Sequence, residues 1–198
     1  MNMIISPAVK AAFVLILLSL GSYAYASGGY DNGTPAGKGR LDLDFTLNPG
    51  DVIDDGQSYV VWGYGVTDKL DFQGYFSHEA GGTDQLYYGF SYNFLSNDIL
   101  DLSTAFGLRH REGKTDAIFP QILYTVKLPN DFDIIGSSVL VYRTDDRKNL
   151  GTTFDIALRI PVPNKYTPAF AKSVKFAIGA FRGTANRWLP TYSLDFKF

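Results

Sequence analysis

The last seven residues, "YSLDFKF" (residues 192–198), decide the fold because their side chains alternate in character. Large apolar residues occupy every second position, and small or charged residues lie between them. The apolar set is Tyr192, Leu194, Phe196 and Phe198, and the other set is Ser193, Asp195 and Lys197. Successive side chains of a β-strand point to opposite faces, so the stretch predicts a strand between an apolar and a polar phase. A soluble chain usually ends in frayed, polar residues instead.

The first residues have the layout of a secretory signal peptide. Lys10 precedes an apolar run at residues 11–20, and Ala24-Tyr25-Ala26 follows with small residues at the positions that a signal peptidase requires. The run is too short to cross a bilayer of about 30 Å, so a membrane-spanning helical anchor is disfavoured. We therefore expect a signal peptide at residues 1–26, cleaved after Ala26, and an exported protein.

Composition limits what the exported chain can be. The formal net charge of −2 and the absence of a basic stripe exclude nucleic acid as a partner. The chain has no cysteine, which excludes disulfides and cysteine-ligated metals, and it has 13 tyrosines and 15 phenylalanines. Residues 27–38 are rich in glycine and small polar residues and predict a flexible N-terminal segment. Residues 27–198 are enough for one domain or one closed barrel, and the barrel domain is predicted over residues 39–198.

From residue 39 onward almost every window has period two, and no window of helical length has period 3.6. We interpret the pattern as about ten strands, with eight as the alternative. The clearest strand sets Leu86, Tyr88 and Phe90 against Gln85 and Tyr87. The fold class predicted is all-β, an up-and-down antiparallel transmembrane β-barrel. A soluble β-sandwich or lipocalin-like barrel has the same alternation, and other evidence must separate the two.

Three features favour the membrane barrel. The predicted strands are about nine to eleven residues long, which suits a tilted bilayer span, and aromatic residues cluster toward strand ends. The terminal strand also resembles the C-terminal signal of bacterial outer-membrane barrels, which the barrel-insertion machinery reads. That resemblance assigns the insertion signal to Tyr192, Leu194, Phe196 and Phe198. It implies the bacterial outer membrane as location, outer-membrane lipid, lipopolysaccharide and the insertion machinery as partners, and a periplasmic C-terminus.

The face opposite the apolar one carries charges of both signs, and in a membrane barrel this face lines the lumen. Unpaired charges in a confined interior are costly, so we expect the residues to form a salt-bridge network. The predicted lumen network is Arg40, Asp42, Asp44, Asp71, Asp101, Arg109, Lys127, Asp155, Arg159, Lys175, Asp195 and Lys197.

Two non-catalytic functions fit this barrel, since fold alone does not settle function. The first is a structural or partner-binding barrel in which the charge network closes the lumen. The second is a narrow porin or uptake channel, in which inward glycines leave space for water and Arg109 and Arg111 select anions at the rim. The stretch "YGVTDKLDF" (residues 64–72) resembles a strand-turn-strand element of several outer-membrane barrel families, including transporters of aromatic-degradation pathways.

A lipid-modifying enzyme is the third alternative, and it has the least support. Ser77, His78 and Glu79 are consecutive, but neighbouring residues of a strand point to opposite faces and cannot act together. We therefore predict no catalytic residue. No cofactor or dedicated metal site is predicted either, because the loop aspartates Asp51, Asp54, Asp55, Asp145 and Asp146 lack calcium-loop spacing. A protein partner at the loops or at the long connection 161–172 remains a further expectation.

Overall fold

The computed structural model describes residues 31–48, 57–79, 84–144, 150–182 and 188–198. The predicted signal peptide lies outside the described residues. Ten strands are present, eight to fourteen residues long. They are β1 (Leu41–Asn48), β2 (Gln57–Gly65), β3 (Leu70–Glu79), β4 (Asp84–Ser96), β5 (Leu100–Arg111), β6 (Lys114–Lys127), β7 (Asp133–Arg143), β8 (Leu150–Pro161), β9 (Ser173–Arg182) and β10 (Trp188–Lys197).

The strands form one closed barrel in which each strand pairs with its sequence neighbours. All ten pairings are antiparallel, and β1 pairs with β10 to close the ring. At this seam Leu43 lies opposite Phe196 and Phe45 lies opposite Leu194. A closed ring leaves no strand edge with unpaired backbone groups, which is the condition for a β-structure to span a bilayer. The prediction of a ten-stranded up-and-down barrel is confirmed.

The two faces of the wall differ as the alternation predicts. Phe106 and Phe90 point outward with 56% and 54% of their surfaces exposed. Their inward neighbours Ala105 and Ser91 are buried, as are many inward polar residues of the other strands. Apolar outside and polar inside is the reverse of a soluble barrel and matches a lipid-facing wall. The described part of the chain contains no helix long and apolar enough to cross a bilayer.

Glycines let aromatic rings lie flat on the wall at two places. A Cβ on Gly74 would lie 2.3 Å from the Trp62 ring of the adjacent strand. A Cβ on Gly136 would lie 2.4 Å from the hydroxyl oxygen of Tyr124, which donates to the Asp155 carbonyl oxygen at 3.0 Å. Each ring covers the main chain of a glycine, which has no side chain of its own to cover it. Glycines covered in this way are found where a β-sheet curves.

We call the two ends of the barrel the termini end and the loop end. The termini end carries the start of β1, the end of β10 and the connections 66–69, 97–99, 128–132 and 162–172. The loop end carries a two-residue turn at Glu112 and Gly113, both with positive φ. The turn is tight: β6 begins at Lys114, so Asp116 belongs to a strand. The other four connections at the loop end contain residues outside the described ranges.

Candidate functional site

The lumen at the termini end is filled by residues 31–39, which we call the plug segment. Gly33 is its most enclosed residue: its amide donates to Thr125 Oγ1 at 3.0 Å. Its carbonyl oxygen accepts from Asn93 Nδ2 at 2.9 Å and from Ser103 Oγ at 2.8 Å. Thr34 Oγ1 donates to Asp101 Oδ2 at 2.7 Å. These partners lie on β4, β5 and β6, so inward-pointing side chains of three strands bind the segment.

The other end of the plug segment rests on β2 and β3. The Ala36 amide donates to Asp71 Oδ2 at 2.9 Å. A Cβ on Gly65 would lie 1.8 Å from the Gly37 carbonyl oxygen, so only glycine admits the segment there. The Gly39 amide donates to the Gly65 carbonyl oxygen at 2.8 Å. Residues 31–38 therefore follow a defined path inside the barrel, because wall side chains satisfy the polar main chain. The first four residues of the N-terminal segment predicted at 27–38 lie outside the described residues.

The opposite side of this mouth holds a cluster of buried charges around Arg159. Its Nε and Nη2 donate to Asp133 Oδ2 at 3.0 and 2.9 Å, and its Nη1 donates to Asp195 Oδ2 at 3.2 Å. Lys175 Nζ donates to the same Asp133 oxygen at 2.8 Å and to Asp131 Oδ1 at 2.9 Å. Buried charges are tolerated when they are paired and hydrogen-bonded in this way.

The remaining residues of the predicted network do not form one continuous chain of ion pairs. Lys127 pairs with Asp101 at 2.8 Å and Lys197 pairs with Asp42 at 3.3 Å. Three aspartates instead accept hydrogen bonds from uncharged donors: Asp44 from Thr46, Asp71 from Ala36 and Asp155 from Ser137. Arg40 is exposed at the mouth.

Arg109 lies in the loop-end half of the lumen, where it is buried and paired. Its Nη2 and Nε donate to the two carboxylate oxygens of Asp116 at 2.6 and 2.9 Å. Its guanidinium carbon lies 5.2 Å from the centroid of the Phe119 ring. This bidentate pair corrects the expectation that Arg109 selects anions at the rim, because Asp116 already neutralises its charge.

Aromatic side chains narrow the lumen beside this ion pair. Tyr75 stacks on Tyr87 at 5.2 Å between ring centroids, and Tyr87 stacks on Phe119 at 5.5 Å. Tyr59 meets the edge of Tyr75 at 5.6 Å. We call these four residues, which come from β2, β3, β4 and β6, the aromatic constriction. All four are at most 3% exposed, so the rings are closely packed inside the barrel.

Other residues occupy most of the space that was expected beside the inward glycines. The Tyr87 ring covers Gly107, and Gly37 covers Gly65, whereas Gly63 has no heavy atom within 4 Å of a Cβ position. A cavity of about 60 Å³ remains between the plug segment and the wall. It is large enough for a few water molecules, and its lining includes Asp31, Asp44, Asp71, Arg159 and Asp195.

The histidines lie away from the lumen. Ser77 is fully buried inside, while His78 is exposed on the outside with Nδ1 2.7 Å from Asp84 Oδ1. His110 Nε2 lies 3.1 Å from the hydroxyl oxygen of Tyr88 on the same outer surface. Among the described residues no three His, Asp or Glu side chains are placed to hold a metal ion. The five loop aspartates considered for calcium lie outside the described residues.

The residues predicted as an insertion signal form the outward face of β10. Tyr192 and Leu194 are exposed, and the ring of Phe196 meets the edge of Phe45 across the seam at 5.8 Å. The Phe198 amide donates to the Leu41 carbonyl oxygen at 2.9 Å, which extends the pairing to the last residue. The lipid-facing direction predicted for these side chains follows from the register of the seam.

Sequence reasoning missed Asp116, Asp133 and the plug segment. The polar residues around Asp116 are typical of a loop, and β7 carries aliphatic residues on both faces, which hides the inward position of Asp133. Nothing in the period-two pattern predicts that residues 31–39 turn back into the lumen. The one available signal was the glycine content of that segment, because close main-chain approach requires small residues.

The geometry defines a membrane-spanning β-barrel of the small outer-membrane type. Among solved structures, the chain is similar to the KdgM porin at 9% identity and a TM-score of 0.49, covering 80% of this chain and 98% of that one. It is similar to a mutant of the Rh. blastica porin at 16% identity and a TM-score of 0.39, covering 81% of this chain and 52% of that one.

A designed transmembrane β-barrel is similar at 12% identity and a TM-score of 0.35, covering 81% of this chain and 97% of that one. No protein-family profile and no curated protein matches the chain. Similarities of this size say nothing about a solute. The class therefore rests on the closed ten-stranded ring and its lipid-facing surface.

Proposed function

We propose that this protein is a narrow channel of the bacterial outer membrane, held closed by its own plug segment. The observation that carries the proposal is that the termini-end lumen accommodates a polypeptide segment that is not part of the wall. A lumen that accommodates the plug segment and the hydrogen bonds between this segment and the wall is wide enough for a small polar solute. Withdrawal of residues 31–39 would expose Asp71, Asn93, Asp101 and Ser103 as the lining.

The aromatic constriction and the Arg109–Asp116 pair set the narrowest level of this channel. Their side chains, unlike the backbone ring, can change rotamer without breaking a strand pairing. The ion pair presents no net charge, and the termini-end lumen has more carboxylates than cations. We therefore expect weak cation selectivity rather than the anion selectivity that Arg109 suggested.

The proposal includes the route to the membrane. Residues 1–26 act as a signal peptide cleaved after Ala26, and the insertion machinery reads the last strand through Tyr192, Leu194, Phe196 and Phe198. The termini end then faces the periplasm and the loop end faces the lipopolysaccharide. Withdrawal of the plug segment would take place on the periplasmic side.

Conductance in planar lipid bilayers tests the channel. The chain from residue 27 is compared with a variant that lacks residues 27–38, each confirmed as inserted by its heat-shifted gel mobility. We expect rare or no openings for the first and discrete, stable steps for the second. Adding Phe119→Ala to the deletion should enlarge the steps, because it widens the aromatic constriction.

A permanently closed barrel with a structural or partner-binding role is the second candidate. The burial of the aromatic constriction favours it, since side chains packed this closely resist displacement. Silence of the deletion variant, also with Phe119→Ala, would reject the channel and favour this role. Pull-down partners that require the loop end or the 162–172 connection would then identify its function.

A further inference from the structure

The connection 162–172 between β8 and β9 turns outward onto the lipid-facing wall. It is the longest connection at the termini end and contains a short 3₁₀ turn, Asn164–Tyr166. The Phe170 ring stacks on Phe198 at 6.2 Å between centroids with 12° between the ring planes, and it lies 6.5 Å from Phe196. Phe196 belongs to the outward face of β10 and Phe198 directly follows that strand, so the segment follows the wall at the edge of the lipid belt.

The main chain of this connection is tied to the barrel while its aromatic side chains are left uncovered. The Lys172 amide donates to the Lys197 carbonyl oxygen at 2.8 Å, and the Val162 amide donates to the Val174 carbonyl oxygen at 2.9 Å. Tyr166 and Phe170 are 67% and 69% exposed, more than any outward phenylalanine of the strands. Large rings held exposed on an ordered backbone mark a contact surface.

The charges of the connection suit an anionic surface. Residues 162–172 contain Lys165 and Lys172 and no acidic residue, and both lysines are exposed. Lys165 Nζ lies 4.7 Å from the centroid of the Tyr166 ring. Aromatic rings beside lysines are typical of segments at the boundary between acyl chains and headgroups, where the rings enter the boundary and the ammonium groups meet phosphates.

We propose that residues 162–172 form an interfacial anchor that binds anionic phospholipid headgroups of the leaflet at the termini end. Phe170 and Tyr166 lie at the acyl boundary, continuous with the lipid-facing surface of β10. Lys165 and Lys172 contact the phosphates. The anchor does not depend on whether the lumen conducts, so it stands apart from the proposed channel.

Lipid selectivity of the full chain tests the lysines. The chain is refolded in phosphatidylcholine vesicles, and electron spin resonance compares the association of spin-labelled phosphatidylglycerol and spin-labelled phosphatidylcholine. The double variant K165Q/K172Q should lower the preference for phosphatidylglycerol about fivefold or more. The matched control K69Q/K114Q removes two exposed lysines elsewhere and should leave it unchanged. Equal preference in wild type and K165Q/K172Q, or an equal drop in the control, would overturn the proposal.

Depth-dependent quenching tests the rings. Phe170→Trp is made in a background where Trp62 and Trp188 are replaced by phenylalanine, so that one tryptophan emits. Lipids brominated near the headgroup end of the acyl chain should quench it more than lipids brominated near the chain terminus. Emission at the wavelength of a water-exposed tryptophan, without quenching by either lipid, would contradict an anchor at the membrane interface.

Discussion

Substitution of Gly33 by alanine should release the plug segment from the lumen. The added Cβ would lie 2.6 Å from the Asp101 carbonyl oxygen, 2.9 Å from the Leu123 carbonyl oxygen and 2.9 Å from Tyr124 Cα. All three are backbone atoms of β5 and β6, which the ladder hydrogen bonds hold in place. The segment, which has no strand partner of its own, must therefore move.

The size of the effect follows from the three hydrogen bonds that Gly33 makes with Thr125, Asn93 and Ser103. A hydrogen bond contributes a net of about 0.5–1.5 kcal/mol, so losing all three costs about 1.5–4.5 kcal/mol of docking free energy. A change of about 1.4 kcal/mol is tenfold in an equilibrium constant. The undocked population should therefore rise between about tenfold and about a thousandfold.

Cysteine labelling measures this population because the natural chain has no cysteine. Asn32→Cys is introduced into all samples, which are refolded in vesicles and treated with a membrane-impermeant maleimide. Gly33→Ala should speed labelling by the factor above, whereas Gly63→Ala is the matched control, since no heavy atom lies within 4 Å of its added Cβ. Equal labelling rates in the parent, Gly33→Ala and Gly63→Ala would refute the reasoning.

Three further predictions concern the lumen charges and the wall. Asp116→Asn leaves the Arg109 charge buried without its counterion and should lower the free energy of unfolding in bilayers by about 3–5 kcal/mol; an unchanged urea midpoint would contradict the buried pair. Phe106→Arg places a charge in the lipid belt and should cost about 2–4 kcal/mol in the same titration, and a neutral result would remove Phe106 from the lipid face. Burial raises the pKa of the Asp31 carboxyl from 3.8 to about 7, although part of its surface meets the lumen cavity. The Asp31 carboxyl therefore binds a proton more tightly when the plug segment is docked than when the segment is released. Docking is strongest below pH 3.8, weakens as the pH rises to about 7 and does not change further above that pH. The thiolate of the reporter cysteine itself becomes more abundant as the pH rises, so the labelling rate of the parent is divided by that of Asp31→Asn at each pH. This ratio should rise between pH 3.8 and about 7; a constant ratio would contradict the assignment.

The wall of the barrel was predictable from sequence because apolar residues at every second position indicate both a strand and the direction in which each side chain points. Strand β4 shows this, since Leu86, Tyr88 and Phe90 point outward while Gln85 and Tyr87 point inward. The alternation of inward and outward side chains is interrupted at a β-bulge between Asn93 and Leu95, where the register with β5 shifts. The strand ends and the tight turn at Glu112 depended on local geometry that the pattern does not contain.

The contents of the lumen were less predictable because they depend on register between strands. The alternation of each strand puts Tyr59, Tyr75 and Tyr87 on the face opposite the apolar one, but their stacking depends on the register that sets Tyr75 opposite Tyr87. The partners of Arg109 and Arg159 were missed for a related reason, since each bond joins two strands. The plug segment uses main-chain hydrogen bonds, and these leave almost no trace in residue type.

The measurement that tests the central claim most directly is conductance with the plug segment reversibly locked. Thr34 Oγ1 and Asp101 Oδ2 are 2.7 Å apart, so the pair T34C/D101C can be joined by a disulfide or a short cross-linker. The pair is made with Phe119→Ala, which widens the aromatic constriction, and recorded in a planar bilayer.

The cysteine pair removes the hydrogen bond between Thr34 and Asp101, so we expect the plug segment to leave the lumen more often than in the parent under reducing conditions. We predict that the resulting channel steps vanish on oxidation and return on reduction. The same current in both redox states would contradict a lumen that the plug segment closes.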